Sequence, residues 1–242
     1  MNCIFWNCRG TGSKALPGLV RQIQKRYNID MLALFETKAS GEKARQRSTN
    51  MGFMNAEIVD AVGYKGGIWV LWNEGVFKIQ VIEKFEQGKQ WPWIIGGDFN
   101  AILYAHERRS TAQGPSTTDR DFGNWFENME LIDLGCNGPF YTWKRQGCES
   151  QIDRVLANNQ SMNAFPDATI KHLPWFKFDH RPILYQTKNE EPQLSGDRPF
   201  RMIAPWILHE DFARVVKESW ILNADWTILR TFVIFSLSVF VM

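Results

Sequence analysis

The sequence has almost no imbalance of charge. Across 242 residues, 28 Lys and Arg stand against 26 Asp and Glu, a formal net charge of +2. That excludes a strong global pull toward nucleic acid or an acidic membrane surface, so any basic groove has to be local. Cysteine is scarce as well. Cys3, Cys8, Cys136 and Cys148 show none of the paired C-x-x-C spacings of a zinc site, and "MNCIFWNCRG" has neither the basic start nor the apolar core of a secretory signal. The four are therefore read as reduced thiols of an intracellular protein, in the nucleus or the cytoplasm. Long hydrophobic runs are missing too. The most apolar segment, "FVIFSLSVFVM", falls well short of the roughly 20 residues a spanning helix needs, so no membrane partner is expected. No repeat or low-complexity tract is visible, and no obligate protein partner can be inferred. What is present is 44% hydrophobic residues with 22% charged, 11 Trp and 17 Phe. That is enough for one sizeable core, with most aromatics serving packing between layers.

Along the chain, strand and helix patterns alternate. "NCIFWNC", "MLALFET", "AEIVDAV", "GGIWVLW", "VFKIQVI", "WIIGG", "FYTWK", "QIDRVLA", "ATIKHL" and "PILYQT" read as strands, several bounded by Gly or Pro. Leu16, Leu19, Val20, Ile23 and Tyr27 form one face of a helix. Phe122, Trp125, Phe126 and Met129 form another, with Thr118 and Asp121 resembling its start. Many strands and few helices predict two sheets packed face to face with helices outside, an α/β (α+β) fold. The main domain is expected over residues 1–187. A polar linker, "KNEEPQLSGDRP", follows over 188–199, then a helical segment over 200–222 and an apolar, frayed tail over 223–242.

One stretch does not fit a purely structural reading. "WPWIIGGDFN" is a run built for burial that ends in two glycines, a carboxylate and an amide. Asp and Gly suffice for a turn, but the same residues suit a strand that delivers Asp98 and Asn100 to an open edge. Candidate partners end other strands: Asn7 in "FWNCRG", Glu36 in "LALFETK", Asp153 in "SQIDR", and Asp179 with His180 in "KFDHRP". Singly each has a plain structural role. Asn7 can cap a loop, Glu36 can be solvated, Asp153 can pair with Arg154, and Asp179 can close a turn before Pro182. As a set, Glu36, Asp179 and the Asn7 amide offer oxygen ligands suited to magnesium. Asp98 is placed to orient or deprotonate a water, with Asn100 holding that water or the phosphate. His180, oriented by Asp153, is placed to contact a phosphoryl oxygen or hold a proton. The metal and base functions of Asp98 and Asp179 are interchangeable at this stage.

Taken in order, "FWNCRG", "LALFETK", "GGDFN", "QIDR" and "DHRPI" resemble the endonuclease/exonuclease/phosphatase family, which includes abasic-site endonucleases and pancreatic-type deoxyribonucleases. The resemblance is strongest to the amino-terminal endonuclease domain of plant LINE-type (non-LTR) retrotransposon proteins. It covers about residues 2–220, and "RPFRMIAPWILHEDFARVVKESW" is similar to the segment leading toward a reverse transcriptase. The resemblance implies a four-layer α/β/β/α sandwich of the DNase I-like type. It implies metal-side residues Asn7, Glu36 and Asp179, a nucleophile-positioning pair Asp98 and Asn100, and a phosphate-contacting His180 supported by Asp153. It further implies a magnesium cofactor, with manganese as a substitute, and DNA as partner. The implied activity is nicking; the alternatives are an inactive remnant that at most binds nucleic acid, or a phosphatase using the same residues. DNA contacts are expected from Arg9, Lys65, Arg108, Arg109, Lys144, Arg145 and Arg154. Two departures from the family pattern stand out. Phe178 occupies the place of a Ser ahead of the Asp-His pair, and only "EQGKQ" lies where two further strands and a Tyr- or His-bearing turn are expected. One sheet is thus expected to lack a part, and the chain to be a truncated element copy or an exapted fragment.

Overall fold

"NCIFWN" folds as strand β1 (Asn2–Asn7) with every residue buried, because apolar side chains on both faces need cover on both sides. It sits at the centre of a sheet. The computed structural model describes residues 1–73, 92–111, 118–176 and 178–188, together with the backbone of Ile234–Phe235. In chain order the remaining elements of that first sheet are β2 (Met31–Phe35), β3 (Asn55–Val59), β4 (Ile68–Trp72), β11 (Thr169–His172) and β12 (Ile183–Gln186). Their order across the sheet is β11-β12-β1-β2-β4-β3. β1 and β2 run parallel, and helix α1 (Leu16–Tyr27) makes the crossover. The second sheet holds β5 (Ile94–Asp98), β7 (Ile132–Asp133), β10 (Asp153–Ala157) and β13 (Ile234–Phe235), in the order β13-β5-β10-β7.

The alternation of strand side chains divides the core into three layers. Cys3, Phe5, Met31, Ala33 and Phe35 of the first sheet meet Ile94, Val155 and Ala157 of the second. The opposite face of the first sheet, Ile4, Trp6, Leu32 and Leu34, packs on Leu16, Val20 and Ile23 of α1. The far face of the second sheet, Ile95 and Leu156, packs on Phe122, Trp125, Phe126 and Met129 along helix α3 (Arg120–Asn128). The result is the expected four-layer α/β/β/α sandwich. The sheets approach closely at the glycine pair. A Cβ on Gly96 would come within 2.6 Å of the Phe5 ring, and Gly97 adopts φ +154° with Phe35 beside it.

Some local expectations shift. The cap of α3 is Asp119, whose carboxylate accepts the Phe122 N–H, and not Thr118. Helices α2 (Gly41–Thr49) and α4 (Asn159–Ala164) were not expected, because α2 buries only Ala44 and Ser48 and α4 only Ser161. In a third sheet, β6 (Arg108–Ser110), β9 (Cys148–Ser150) and β8 (Trp143–Arg145), only β8 was anticipated, by the strand read in "FYTWK"; β6 and β9 were missed. Three-residue strands carry too little periodicity to be read. The strand expected in "VFKIQVI", the shortened "EQGKQ" region, the 188–199 linker beyond Lys188 and the 200–222 helical segment lie outside the described residues, as does the apolar tail apart from β13. No helix among the described residues is long and apolar enough to cross a membrane.

Candidate active site

The strand ends converge. Asn7 is the last residue of β1, Asp98 the last of β5 and Asp153 the first of β10. Glu36 follows β2 directly, and His180 lies just before β12. In the β5–β10 ladder Asp153 stands opposite Asp98, so antiparallel register alone sets the two carboxylates side by side. Asn7 Nδ2 reaches across from the first sheet and donates to Asp98 Oδ2 at 2.8 Å. The Asn100 N–H, in a left-handed backbone with φ 52°, donates to Asp98 Oδ1 at 2.8 Å. Asn100 thus holds Asp98 through its backbone, while the residue itself is exposed.

His180 completes this group. Its Nδ1 lies 3.0 Å from Asp153 Oδ2, and its Nε2 lies 3.8 Å from Asp98 Oδ2. Burial disfavours the imidazolium, but the Asp153 carboxylate, joined by Asp98 and Asp179, outweighs it and raises the His180 pKa to about 9. Burial, reinforced by the nearby Asp153 charge, pushes Asp98 up to about 7, against the pull of His180 and the donors from Asn7 and Asn100. Near neutral pH the group therefore holds a protonated His180 beside an Asp98 poised to gain or lose a proton.

Three supports escaped the sequence reading. Thr142 Oγ1, fully buried, accepts the N–H of Asp153 at 3.0 Å and of Ile152 at 3.1 Å, fixing the strand start that carries the carboxylate. Trp6 Nε1 donates to the His180 carbonyl at 3.3 Å. Glu107 accepts the N–H groups of Leu103 at 2.7 Å and Tyr104 at 3.2 Å, tying down the loop that leaves Asp98. Thr142 stood in view within "FYTWK", but nothing in a strand pattern marks one Thr as an acceptor for another strand.

A second group forms around Arg9. Its guanidinium bonds Asp179 through Nη1, and its Nε lies 4.0 Å from Glu36 Oε2. Lys38 Nζ is 3.4 Å from the same Glu36 oxygen. Asn7 belongs to both groups, since its Oδ1 accepts the Arg9 N–H at 3.0 Å. The expected metal-side carboxylates thus share one cation already, which shows that the space between them suits positive charge. The ligand atoms of Asp98, Asp153 and His180 also lie within 4.8 Å of one another and could hold a metal. A hard divalent cation prefers oxygen, which this group supplies from only two carboxylates beside an imidazole nitrogen.

The expected DNA-contacting residues separate. Lys65, Lys144 and Arg145 are exposed, with Lys144 Nζ 5.0 Å from the centre of the Trp175 ring. Arg109 stacks on Tyr141 and pairs with Glu149. Arg154 corrects the expectation. It is 2% exposed, bonds the buried Glu107, and donates to the half-buried Asp133 Oδ2 at 2.6 Å, because a buried cation on a central strand is tolerable only with acids paired to it. It anchors the loop after Asp98 and is closed to DNA. Phe178, the ring in place of Ser, turns into the outer core and meets Trp6 edge-on at 4.9 Å.

A model of the Endonuclease/Exonuclease/phosphatase family matches residues 4–174. No curated protein matches the chain. Among solved structures, the chain is similar to a 3′-5′ exonuclease (NExo) from Neisseria meningitidis, with TM-score 0.58 and 14% identity over 78% of this chain and 100% of that one. It is also similar to the AP endonuclease LMAP from Leishmania major, with TM-score 0.55 and 14% identity over 76% and 86%. A third is the 3′ phosphatase NExo from Neisseria bound to a product DNA hairpin, with TM-score 0.56 and 15% identity over 77% and 98%. At these identities the likeness speaks for the fold.

Proposed function

Since the chain belongs to the endonuclease/exonuclease/phosphatase family, we propose that it is a magnesium-dependent phosphodiesterase that nicks DNA, descended from a plant LINE-type retrotransposon protein. The observation that carries the chemistry is the buried His180, held by Asp153 at 3.0 Å and facing Asp98 at 3.8 Å. Asp98 takes the proton of the attacking water, oriented by the Asn7 amide and the Asn100 N–H. The imidazolium of His180 donates toward the phosphoryl oxygen on which charge grows, and Asp153 keeps it protonated and in register. Glu36 and Asp179 would hold the magnesium ion, with Asn7 beside them. When bound, that ion supplies charge neutralisation for the phosphate and the leaving 3′-oxygen. Exposed Lys65, Lys144 and Arg145 contact the DNA backbone, giving weak, salt-sensitive and sequence-tolerant binding from a chain of net charge +2.

The motif order of the sequence and the DNA-bound relative support DNA over a small phosphoester. The test is a supercoiled-plasmid nicking assay on purified protein, with magnesium, with manganese and with chelator, alongside a panel of small phosphomonoesters. Metal-dependent nicking that His180→Ala abolishes is expected. Turnover of phosphomonoesters without nicking makes the chain a phosphatase, and no turnover of either makes it an inactive remnant.

A further inference from the structure

The group around Arg9 does not need the proton chemistry next to it. Arg9, Glu36 and Lys38 all adopt left-handed backbone, with φ of 45°, 51° and 51°. Such conformations are unfavourable in non-glycine residues and persist only where the surroundings hold them. Here they are held: the Thr37 N–H bonds Gly67 O at 3.1 Å, the Lys38 N–H bonds Gly66 O at 3.1 Å and the Arg9 N–H bonds Asn7 Oδ1 at 3.0 Å, while the Lys144 N–H bonds Asp179 O at 3.0 Å on the segment opposite. Segments distant in sequence are thereby brought to one point, where two carboxylates face two cations. The charges cancel without any added ion. All four side chains are between 22% and 33% exposed, so water and a solvated ion can reach them.

We propose that Arg9 is a resident cation that competes with the divalent metal for Glu36 and Asp179, so that metal binding is an exchange in which the guanidinium leaves the carboxylates. The proposal rests on the reading that Glu36 and Asp179 hold the metal, and names the residue that sets its affinity. Arg9 bonds Asp179 and also pairs with Glu36 at 4.0 Å, whereas Lys38 pairs with Glu36 alone, so Arg9 is the cation placed to hold both carboxylates. A planar guanidinium can bridge two acids where an ammonium cannot, and partly exposed ion pairs are weak enough for a doubly charged ion to displace them. The consequence is a metal site of modest affinity.

The experiment is calorimetric titration of manganese alone into the full chain, without DNA. Arg9→Gln should tighten manganese binding by about tenfold, the equivalent of ~1.4 kcal/mol. Arg9→Lys should fall between that and the wild type, and Lys38→Gln should tighten binding by less than Arg9→Gln. Glu36→Gln and Asp179→Asn should each abolish binding. Thermal melts establish that each variant is folded, and Arg9→Met replaces Arg9→Gln if the latter is not. If Glu36→Gln abolishes binding but Arg9→Gln and Arg9→Met leave affinity unchanged or weaker, the competition is wrong while the ligand assignment stands. If manganese binds the wild type, Glu36→Gln and Asp179→Asn alike, the ligand assignment falls and the proposal with it.

Discussion

The two charged groups at the strand ends are neighbours built on opposite principles. Asp98, Asp153 and His180 are buried, with side chains 3% to 4% exposed, and their partners are fixed by a β-ladder and by donors from both sheets. Glu36, Asp179, Arg9 and Lys38 lie in loops and are roughly a quarter to a third exposed. In the dry group, loss of solvation shifts proton affinities and a misplaced charge is costly. In the wet group, water screens every pair and partners can be exchanged at little cost. The difference teaches that one group is suited to hold a proton at a fixed atom, and the other to trade cations.

The largest effect that would sharpen this contrast lies in the dry group. Asp98→Ala and His180→Ala should each lower the nicking rate by about a thousandfold or more, with circular dichroism showing that each variant is still folded at the assay temperature. Full activity in either variant breaks the assignment.

Next comes Arg154, the buried cation that anchors the loop after Asp98. Arg154→Met leaves Glu107 and Asp133 without their partner and should cost about 3 kcal/mol in urea denaturation. A negligible change would mean that the loop is held by its backbone alone.

The pH response follows from the same burial. His180 has a folded pKa of about 9, above its unfolded value, so its stabilising contribution is complete below the unfolded value and lost as pH rises through about 9. Asp98, raised to about 7, acts in the same direction, because the folded state binds the extra proton up to that pH. Metal-free protein should therefore melt several degrees lower at pH 9 than at pH 6. An NMR titration of His180 should give a midpoint above 8, and a midpoint near the ordinary histidine value would remove the dry character of the group.

The smallest effect belongs to the wet group. Lys38→Ala should change stability by less than about 1 kcal/mol, and the change should vanish in high salt. A larger, salt-independent loss would show that this group is more enclosed than its exposure indicates.

Much of this was legible beforehand, and the reasons differ by residue. The helix face of Leu16, Val20 and Ile23 and the stripe from Phe122 to Met129 were read from spacing alone, because an amphipathic period of 3.6 states which side faces the core. Asp98, Asp153 and His180, which the fold brings together, were singled out as candidates because strand-terminal polar residues after apolar runs are hard to explain otherwise. Arg154 was misread because a charged residue in a strand looks the same whether it faces solvent or turns inward to a pair of acids. Thr142 went unread because its hydroxyl serves a strand that begins eleven residues later, at Asp153, and is brought to it by a hairpin.

The sequence by itself determined the layers of the sandwich and the candidates for the site, since hydrophobic periodicity and residue chemistry are local properties of the chain. Only the tertiary structure decided how those candidates divide. Register in the β5–β10 ladder put Asp153 against Asp98, the meeting of two sheets gave Asp98 the Asn7 amide, and three loops brought Arg9 between Glu36 and Asp179. Distance and burial between residues remote in sequence set the strength of every charge interaction, and neither exists until the chain has folded.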